Sequence, residues 1–163
     1  MRGAVVFDID GTLKPQLGCS SAGEGLAARL APVNRLMAAA RRAGFGIGIN
    51  TARLRVSSRL REYLLQNFAL DVGALPPDAV QIAATSPRRK VEALAVIQRA
   101  YGVGTRRNVL FFDDVQSIVD AARAAGFTAV GVAEERSRDK GCAVVEAPEV
   151  RRACSVHAEL CYV

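Results

Sequence analysis

The sequence lacks the long apolar runs that mark membrane and secretory segments. No run approaches the ~20 apolar residues that a membrane-spanning helix requires. The first apolar run, 4–7, stops at Asp8 and is too short for the core of a signal peptide. We therefore expect a cytoplasmic protein that makes no membrane contact.

The sequence also contains little histidine and no closely spaced pair of cysteines. The four cysteines include no Cys-x-x-Cys pair, and the single histidine, His157, lies near the C-terminus with Cys142, Cys154 and Cys161. Structural zinc sites typically contain two Cys-x-x-Cys pairs. This segment contains none, so we expect no zinc there. Without a secretory signal, free thiols are favoured over a disulfide framework.

The charge balance is basic and rests on arginine. Lysine and arginine number 22 against 16 aspartates and glutamates, which gives a net charge of +6, yet only three of the basic residues are lysines. This balance favours anionic partners without naming one, and ordinary solvated surface charge accounts for it equally well.

Short apolar runs alternate with helical periodicity along the 163 residues, which predicts one α/β domain over 1–163. The strands are predicted at 4–7, 47–50, 81–84, 109–112 and 128–132. Helical spacing of apolar residues covers 26–40, 60–68, 91–101 and 115–122, with Gly44 and Gly126 as stops for the first and last helices. We expect a doubly wound, mostly parallel sheet with helices on both faces. Ligands of such folds lie beyond the carboxyl ends of the strands.

Two carboxylates, Asp8 and Asp10, follow the first predicted strand, and Gly11 and Thr12 come directly after them. With one residue between them, both carboxylates can face one crevice, and Gly11 permits the turn that follows. Like charges this close repel each other, and a divalent cation relieves the repulsion. One carboxylate can then attack as a nucleophile while the other transfers a proton.

The run from Asp8 to Thr12 resembles the first motif of the haloacid dehalogenase superfamily, whose phosphohydrolases use an aspartate nucleophile. Further motifs follow in that family's order, and the resemblance covers residues 5–132. Thr51, directly after the second strand, matches the Ser or Thr that hydrogen-bonds the phosphoryl group in the family. On its own, a Thr at a strand end is more often a helix cap.

The family's third motif supplies a basic residue, usually a lysine. Lys14 is too close to the first motif and Lys140 lies beyond the last strand, which leaves Lys90. The run Ser86-Pro87 predicts a helix start, so Lys90 lies in the first helical turn. A cation there opposes the helix dipole, and an anionic site offsets that cost.

A second acidic pair, Asp113-Asp114, follows the fourth predicted strand. Magnesium favours one or two carboxylates together with water and phosphate oxygens. In the family this motif provides metal-binding acids beside the first strand, so the resemblance implies one Mg²⁺ ion near Asp8, Asp10, Asp113 and Asp114. A helix N-cap is the alternative role for Asp114, and Ser117 could assist through water.

Together these motifs imply a magnesium-dependent phosphatase that forms an aspartyl phosphate. Asp8 would be the nucleophile, and Asp10 would protonate the leaving oxygen and then activate water. The acid at Asp10 separates this chain from the family's dehalogenases, which lack it. The residues expected to bind the phosphoryl group are Gly11, Thr12, Thr51 and Lys90.

Cap domains govern substrate range in this family, and the segments 13–25 and 67–86 are too short to form one. The chain therefore resembles capless members. This implies a large or extended phosphorylated substrate, such as a nucleic-acid end or a phosphoprotein, although a small sugar or nucleotide phosphate stays open. Arginines near the predicted phosphate position could orient such a substrate, namely Arg53, Arg55, Arg88 and Arg89.

Two other classes share parts of this pattern. A phospho-receiver domain also combines acids, a Thr and a Lys on a doubly wound sheet, but its phospho-acceptor follows the third strand. A non-catalytic module that binds phosphate or nucleic acid could retain the scaffold alone. Such a module would usually have lost one of Asp8, Asp10, Lys90 and Asp113, and all four are present.

Overall fold

Strands and helices alternate along the chain in the computed structural model, which describes residues 1–14, 24–132, 134–137 and 141–144. The strands are Gly3–Phe7 (β1), Phe45–Asn50 (β2), Val80–Gln81 (β3), Val109–Asp113 (β4), Thr128–Gly131 (β5), Glu134–Ser137 (β6) and Gly141–Val144 (β7). The helices are Glu24–Arg42 (α1), Ser58–Phe68 (α2), Pro87–Ala100 (α3) and Gln116–Ala124 (α4). Short 3-10 helices lie at 72–74, 77–79 and 106–108.

The main sheet has the order β3-β2-β1-β4-β5, and every pairing in it is parallel. The chain starts at the central strand, builds outward to β3 and then crosses back to β4. The strand order therefore reverses between β1 and β4, where doubly wound folds bind their ligands. This confirms the predicted doubly wound sheet. Separately, β6 and β7 form an antiparallel pair.

Two apolar layers cover the two faces of the sheet, because successive strand side chains point to opposite sides. The layer that includes α1 and α2 contains Val5, Phe7, Ile47, Ile49, Leu110, Phe112, Leu60 and Leu64. The layer that includes α3 and α4 contains Ala4, Val6, Val109, Phe111, Leu94, Ile97, Ile118 and Val119. All of these residues are buried, so the strands are covered on both faces, as continuous apolar runs predict.

A close approach between β2 and the end of α3 sets the position of that helix. A Cβ atom at Gly46 would lie 2.6 Å from the ring of Tyr101, so only glycine admits the ring there. The Tyr101 hydroxyl donates to the Ile47 carbonyl at 2.5 Å. At the other end, the Ser86 hydroxyl accepts from the Arg89 N–H at 3.3 Å, which confirms the predicted helix start. The first turn of α3 thus lies at the carboxyl edge of the sheet.

The predicted strand at 81–84 is wrong beyond Gln81. Only Val80 and Gln81 pair with β2. Ala83 then adopts a left-handed conformation with φ of 58°, and its N–H donates to the Arg53 carbonyl at 2.7 Å. The segment leaves the sheet because its backbone groups bond to the loop after β2. Ile82 is consequently 45% exposed.

Several predictions concern residues outside the described ones. The stretch 15–23, where a cap after the first motif would begin, and the sites of Cys19, Cys154, His157 and Cys161 are among them. Within the described residues, nothing forms a large additional domain beside the sheet and its helices. In the same residues, no helix combines the length and the apolar character needed to cross a membrane.

Candidate functional site

Three charged side chains from separate elements are buried together at the carboxyl edge of the sheet. Asp8 follows β1, Asp113 ends β4, and Lys90 comes from the first turn of α3. Their exposures are 6%, 1% and 2% respectively. The register pairs Phe7 with Phe112, so the two carboxylates emerge at the same level on either side of the strand-order reversal.

The Lys90 ammonium joins the two carboxylates. Its Nζ atom lies 2.6 Å from Asp8 Oδ1 and 2.9 Å from Asp113 Oδ2. It also donates to the Asn50 carbonyl at 2.6 Å, so all three of its N–H groups have acceptors. The structure therefore brings together Asp8, Lys90 and Asp113, as the motif order predicts.

Asn50 is not among the predicted site residues, although it contacts Lys90 through both its backbone and its side chain. Its carbonyl accepts from Lys90 Nζ, and its side-chain Nδ2 donates to the Lys90 carbonyl at 2.9 Å. Asn50 is fully buried, and its Oδ1 atom has no hydrogen-bond partner among the described residues. The sequence feature that could have indicated Asn50 is its position as a polar amide at the end of an otherwise apolar strand, because buried polar groups are rare there.

Burial dominates the electrostatics of Asp8. It raises the pKa of the Asp8 carboxyl from its ordinary value of 3.8 to about 6. The Lys90 ammonium acts in the opposite direction, and the Asp113 carboxylate adds to the increase. Carboxyl groups with a pKa raised in this way occur more often at functional sites than elsewhere.

This pKa change predicts an unusual dependence of stability on pH in metal-free protein. Between about pH 4 and 6, the folded protein keeps the Asp8 proton that the unfolded chain has released, so the contribution of Asp8 to the free energy of unfolding falls as pH rises. The total effect is on the order of 2–3 kcal/mol. Thermal unfolding across this range should show Asp8→Asn gaining stability relative to wild type as pH increases. Parallel curves for the two proteins would contradict the assignment.

Asp10 lies apart from this buried group and is bound by Arg53. The guanidinium donates from Nε to Asp10 Oδ2 at 2.7 Å and from Nη2 to Oδ1 at 2.6 Å. The two side chains are 46% and 33% exposed for Asp10 and Arg53. The hydrogen bond to Asp10 raises the pKa of Arg53. The sequence predicts that Arg53 binds substrate phosphates. In the structure, its guanidinium group binds the Asp10 carboxylate.

The predicted convergence of three carboxylates on one point is not what the side chains show. Lys90 bridges Asp8 and Asp113, while both oxygens of Asp10 face Arg53. Among the described residues, no group of three or more Asp, Glu, His or Cys side chains is arranged to hold a metal ion. The predicted role of Asp8, Asp10, Asp113 and Asp114 as metal ligands stays a prediction.

The first-motif turn packs directly against the second acidic pair. Gly11 has φ of 79°, and a Cβ atom on it would lie 2.2 Å from Asp114 Oδ2. The N-cap position of α4 is Val115, whose N–H donates to Asp113 Oδ1 at 2.9 Å. The Asp113 side chain thus makes a turn with the Val115 N–H just before α4, and Asp114 lies between this turn and Gly11. Ser117 is exposed on α4.

The two predicted phosphate-binding threonines are both buried at this edge. Thr12 is 4% exposed in the first-motif turn, and Thr51 is 1% exposed after β2. The Thr51 hydroxyl accepts from the Arg53 N–H at 3.3 Å, and its backbone N–H donates to the Gln81 carbonyl at 2.9 Å. Thr51 thus organises the loop that carries Arg53, and both threonines lie on loops that follow the central strands.

Comparisons with known proteins support the fold. No protein-family model and no curated protein matches the chain. It is similar to the crystal structure of an uncharacterized protein from Corynebacterium glutamicum, with a TM-score of 0.59 and 18% identity over 97% of this chain and 96% of that one. It also resembles a hydrolase from Pseudomonas syringae, with a TM-score of 0.48 and 15% identity over 79% of this chain and 84% of that one. The first likeness shows a shared fold alone, and the second is too distant to carry an argument.

Proposed function

We propose that the protein is a magnesium-dependent phosphohydrolase that works through an aspartyl phosphate. One observation carries the proposal: Lys90 is buried between Asp8 and Asp113 at the point where the strand order reverses. Burying three charges is costly, and a structural core gains little from them. A site that must bind a phosphate dianion and activate a carboxylate uses all three.

The first half of the reaction transfers the phosphoryl group to the protein. A carboxylate oxygen of Asp8 attacks phosphorus in line, and the bond between phosphorus and the leaving oxygen breaks. Asp10, protonated on an oxygen lone pair that Arg53 does not occupy, gives its proton to that oxygen. The Lys90 ammonium stabilises negative charge on the transferring group, and the buried Thr51 lies at the same edge to orient it.

The second half restores the protein. Asp10, now a carboxylate, accepts a proton from water as the water oxygen attacks phosphorus. The bond between phosphorus and Asp8 breaks, inorganic phosphate leaves, and both aspartates return to their starting states. Asp10 suits this exchange because its side chain is 46% exposed and reaches water.

The donor chemistry at the site fits magnesium. Asp8 and Asp113 are two buried carboxylates that share a single ammonium, and Mg²⁺ favours one or two carboxylates with water and phosphate oxygens. Zinc sites in proteins are built mainly on Cys and His ligands, and Asp8, Lys90 and Asp113 include neither. When bound, Mg²⁺ would neutralise charge on the phosphoryl oxygens.

A magnesium titration tests the proposal. We expect wild type to hydrolyse 4-nitrophenyl phosphate only with Mg²⁺ present, and Asp113→Ala to need a much higher Mg²⁺ concentration because it lacks a direct ligand. Asp114→Ala should have a smaller effect, since that side chain packs against Gly11. Asp78→Ala, which changes an exposed residue of the 3-10 helix before β3, is the control. Equal Mg²⁺ requirements for wild type and Asp113→Ala would remove Asp113 from the metal site.

We further propose a large or extended phosphorylated substrate, such as a nucleic-acid end or a phosphoprotein, ahead of a small sugar or nucleotide phosphate. An open site grips a small molecule at few points, so orientation must come from contacts outside the crevice. Arg55 and Arg89 are exposed on the loop after β2 and on the first turn of α3. Arg88 is paired with Glu92 at 2.9 Å, which leaves it less suited to this role.

Salt dependence distinguishes these substrates. Turnover of a phosphorylated oligonucleotide end should fall steeply with added salt because counterions are displaced on binding, while turnover of 4-nitrophenyl phosphate should change little. The double substitution of Arg55 and Arg89 by Gln should flatten the steep dependence. The same salt response for both substrates would overturn the large-substrate proposal and leave the phosphatase proposal standing.

A further inference from the structure

Arg53 is held in place by its backbone as well as by its side chain. Its N–H donates to the Thr51 hydroxyl at 3.3 Å, and its carbonyl accepts from the Ala83 N–H at 2.7 Å. The loop after β2 is thus tied both to the end of β2 and to the segment after β3. From this anchored position, the guanidinium reaches across to the first-motif turn and meets Asp10.

The contact with Asp10 fixes the plane of its carboxylate. Two parallel N–H···O bonds of 2.7 and 2.6 Å join the fork of Arg53 to both oxygens of Asp10. Such a bidentate pair defines orientation as well as charge, which a single ammonium cannot do. Each carboxylate oxygen still has a second lone pair for a substrate or a water.

We propose that Arg53 is a positioning residue that orients Asp10 for proton transfer. The inference rests on the proposed phosphohydrolase function. The Asp10 side chain is 46% exposed, so without Arg53 it would sample several rotamers and seldom face the reacting oxygen. Lys90, Asp8 and Asp113 are too deeply buried and too fully engaged with one another to hold it.

The positioning role predicts a specific dependence on the leaving group. A good leaving group such as 4-nitrophenolate departs with little protonation, whereas an alkoxide needs the proton from Asp10. Arg53→Gln should therefore lower kcat about tenfold or more for an alkyl phosphate and less for 4-nitrophenyl phosphate, as a part of the 10²–10⁴-fold that acid–base assistance supplies. Arg53→Lys keeps the charge without the fork and should recover only part of the loss.

The decisive measurement repeats this comparison in the Asp10→Asn background. If Arg53 acts through Asp10, Arg53→Gln should cause no further loss of kcat there. Arg59→Gln, on the exposed face of α2, is the matched control in both backgrounds. Losses that multiply, or that are equal for both leaving groups, would overturn the positioning role.

Two other outcomes separate this inference from the proposals before it. A rise in KM and in the inhibition constant of inorganic phosphate, with kcat unchanged, would make Arg53 a phosphate ligand and overturn the positioning role alone. Wild-type protein that hydrolyses neither phosphate ester in the presence of Mg²⁺ would overturn the proposed function itself. The inference about Arg53 would then be wrong with it.

Discussion

Asp8→Asn is expected to abolish turnover while leaving the fold intact. The amide is nearly isosteric with the carboxylate, but it cannot act as the nucleophile that the proposed mechanism requires. Asp8 accepts from Lys90 at 2.6 Å, and the amide oxygen can keep that bond. Removing a buried carboxyl whose pKa is raised to about 6 also relieves part of its desolvation cost near neutral pH. The variant should therefore be inactive and at least as stable as wild type at pH 7.

Two measurements check this expectation together. Steady-state hydrolysis of 4-nitrophenyl phosphate should fall to background, and thermal unfolding at pH 7 should show no loss of stability. Asp78→Asn, which changes an exposed carboxylate in the 3-10 helix before β3, should alter neither. Wild-type turnover by Asp8→Asn would show that another group attacks phosphorus.

Much of the fold follows from local patterns. Each strand at the centre of the sheet is a continuous apolar run, and each helix shows the spacing of a one-faced amphipathic helix. The left-handed glycines at Gly44 and Gly126, with φ of 75° and 89°, end the elements where the sequence predicts. The prediction of a strand over 81–84 was wrong beyond Gln81, because the backbone there is hydrogen-bonded to the loop after β2 and not to a neighbouring strand. Contacts of that kind depend on tertiary structure, which periodicity does not report.

The site was predictable where topology alone decides it. Asp8, Asp113 and the first turn of α3 reach the same edge because parallel strands present their carboxyl ends together. A cation in a helix's first turn also signals an anionic neighbour, and Lys90 has two. These inferences need only the order of the elements and no side-chain geometry.

Contacts made by loops were not predictable in this way. The pairing of Arg53 with Asp10 depends on the conformations of two loops, which the sequence does not specify. The sequence also does not show whether an arginine near a phosphate site binds the phosphate or a carboxylate. The same holds for Asp114, whose position against Gly11 depends on a turn that Asp113 makes with the Val115 N–H. Asn50 was missed because a polar residue at a strand end usually marks only where the strand stops.

Lys90→Met is expected to have the largest effect on stability. The methionine fills a similar volume but leaves Asp8 and Asp113 buried without their shared counter-charge, and breaking a buried ion pair in this way costs about 3–5 kcal/mol. Adding Asp113→Asn to Lys90→Met should restore part of the stability, because one uncompensated charge is removed. Mg²⁺ should raise the Tm of Lys90→Met more than that of wild type, since a cation at the two carboxylates supplies the missing charge.

Arg89→Met, one residue away on the exposed side of the same turn, should leave the free energy of unfolding almost unchanged. Thermal and urea unfolding of these four proteins would measure the effect, and equal stability of wild type and Lys90→Met would show that the buried charges do not depend on one another.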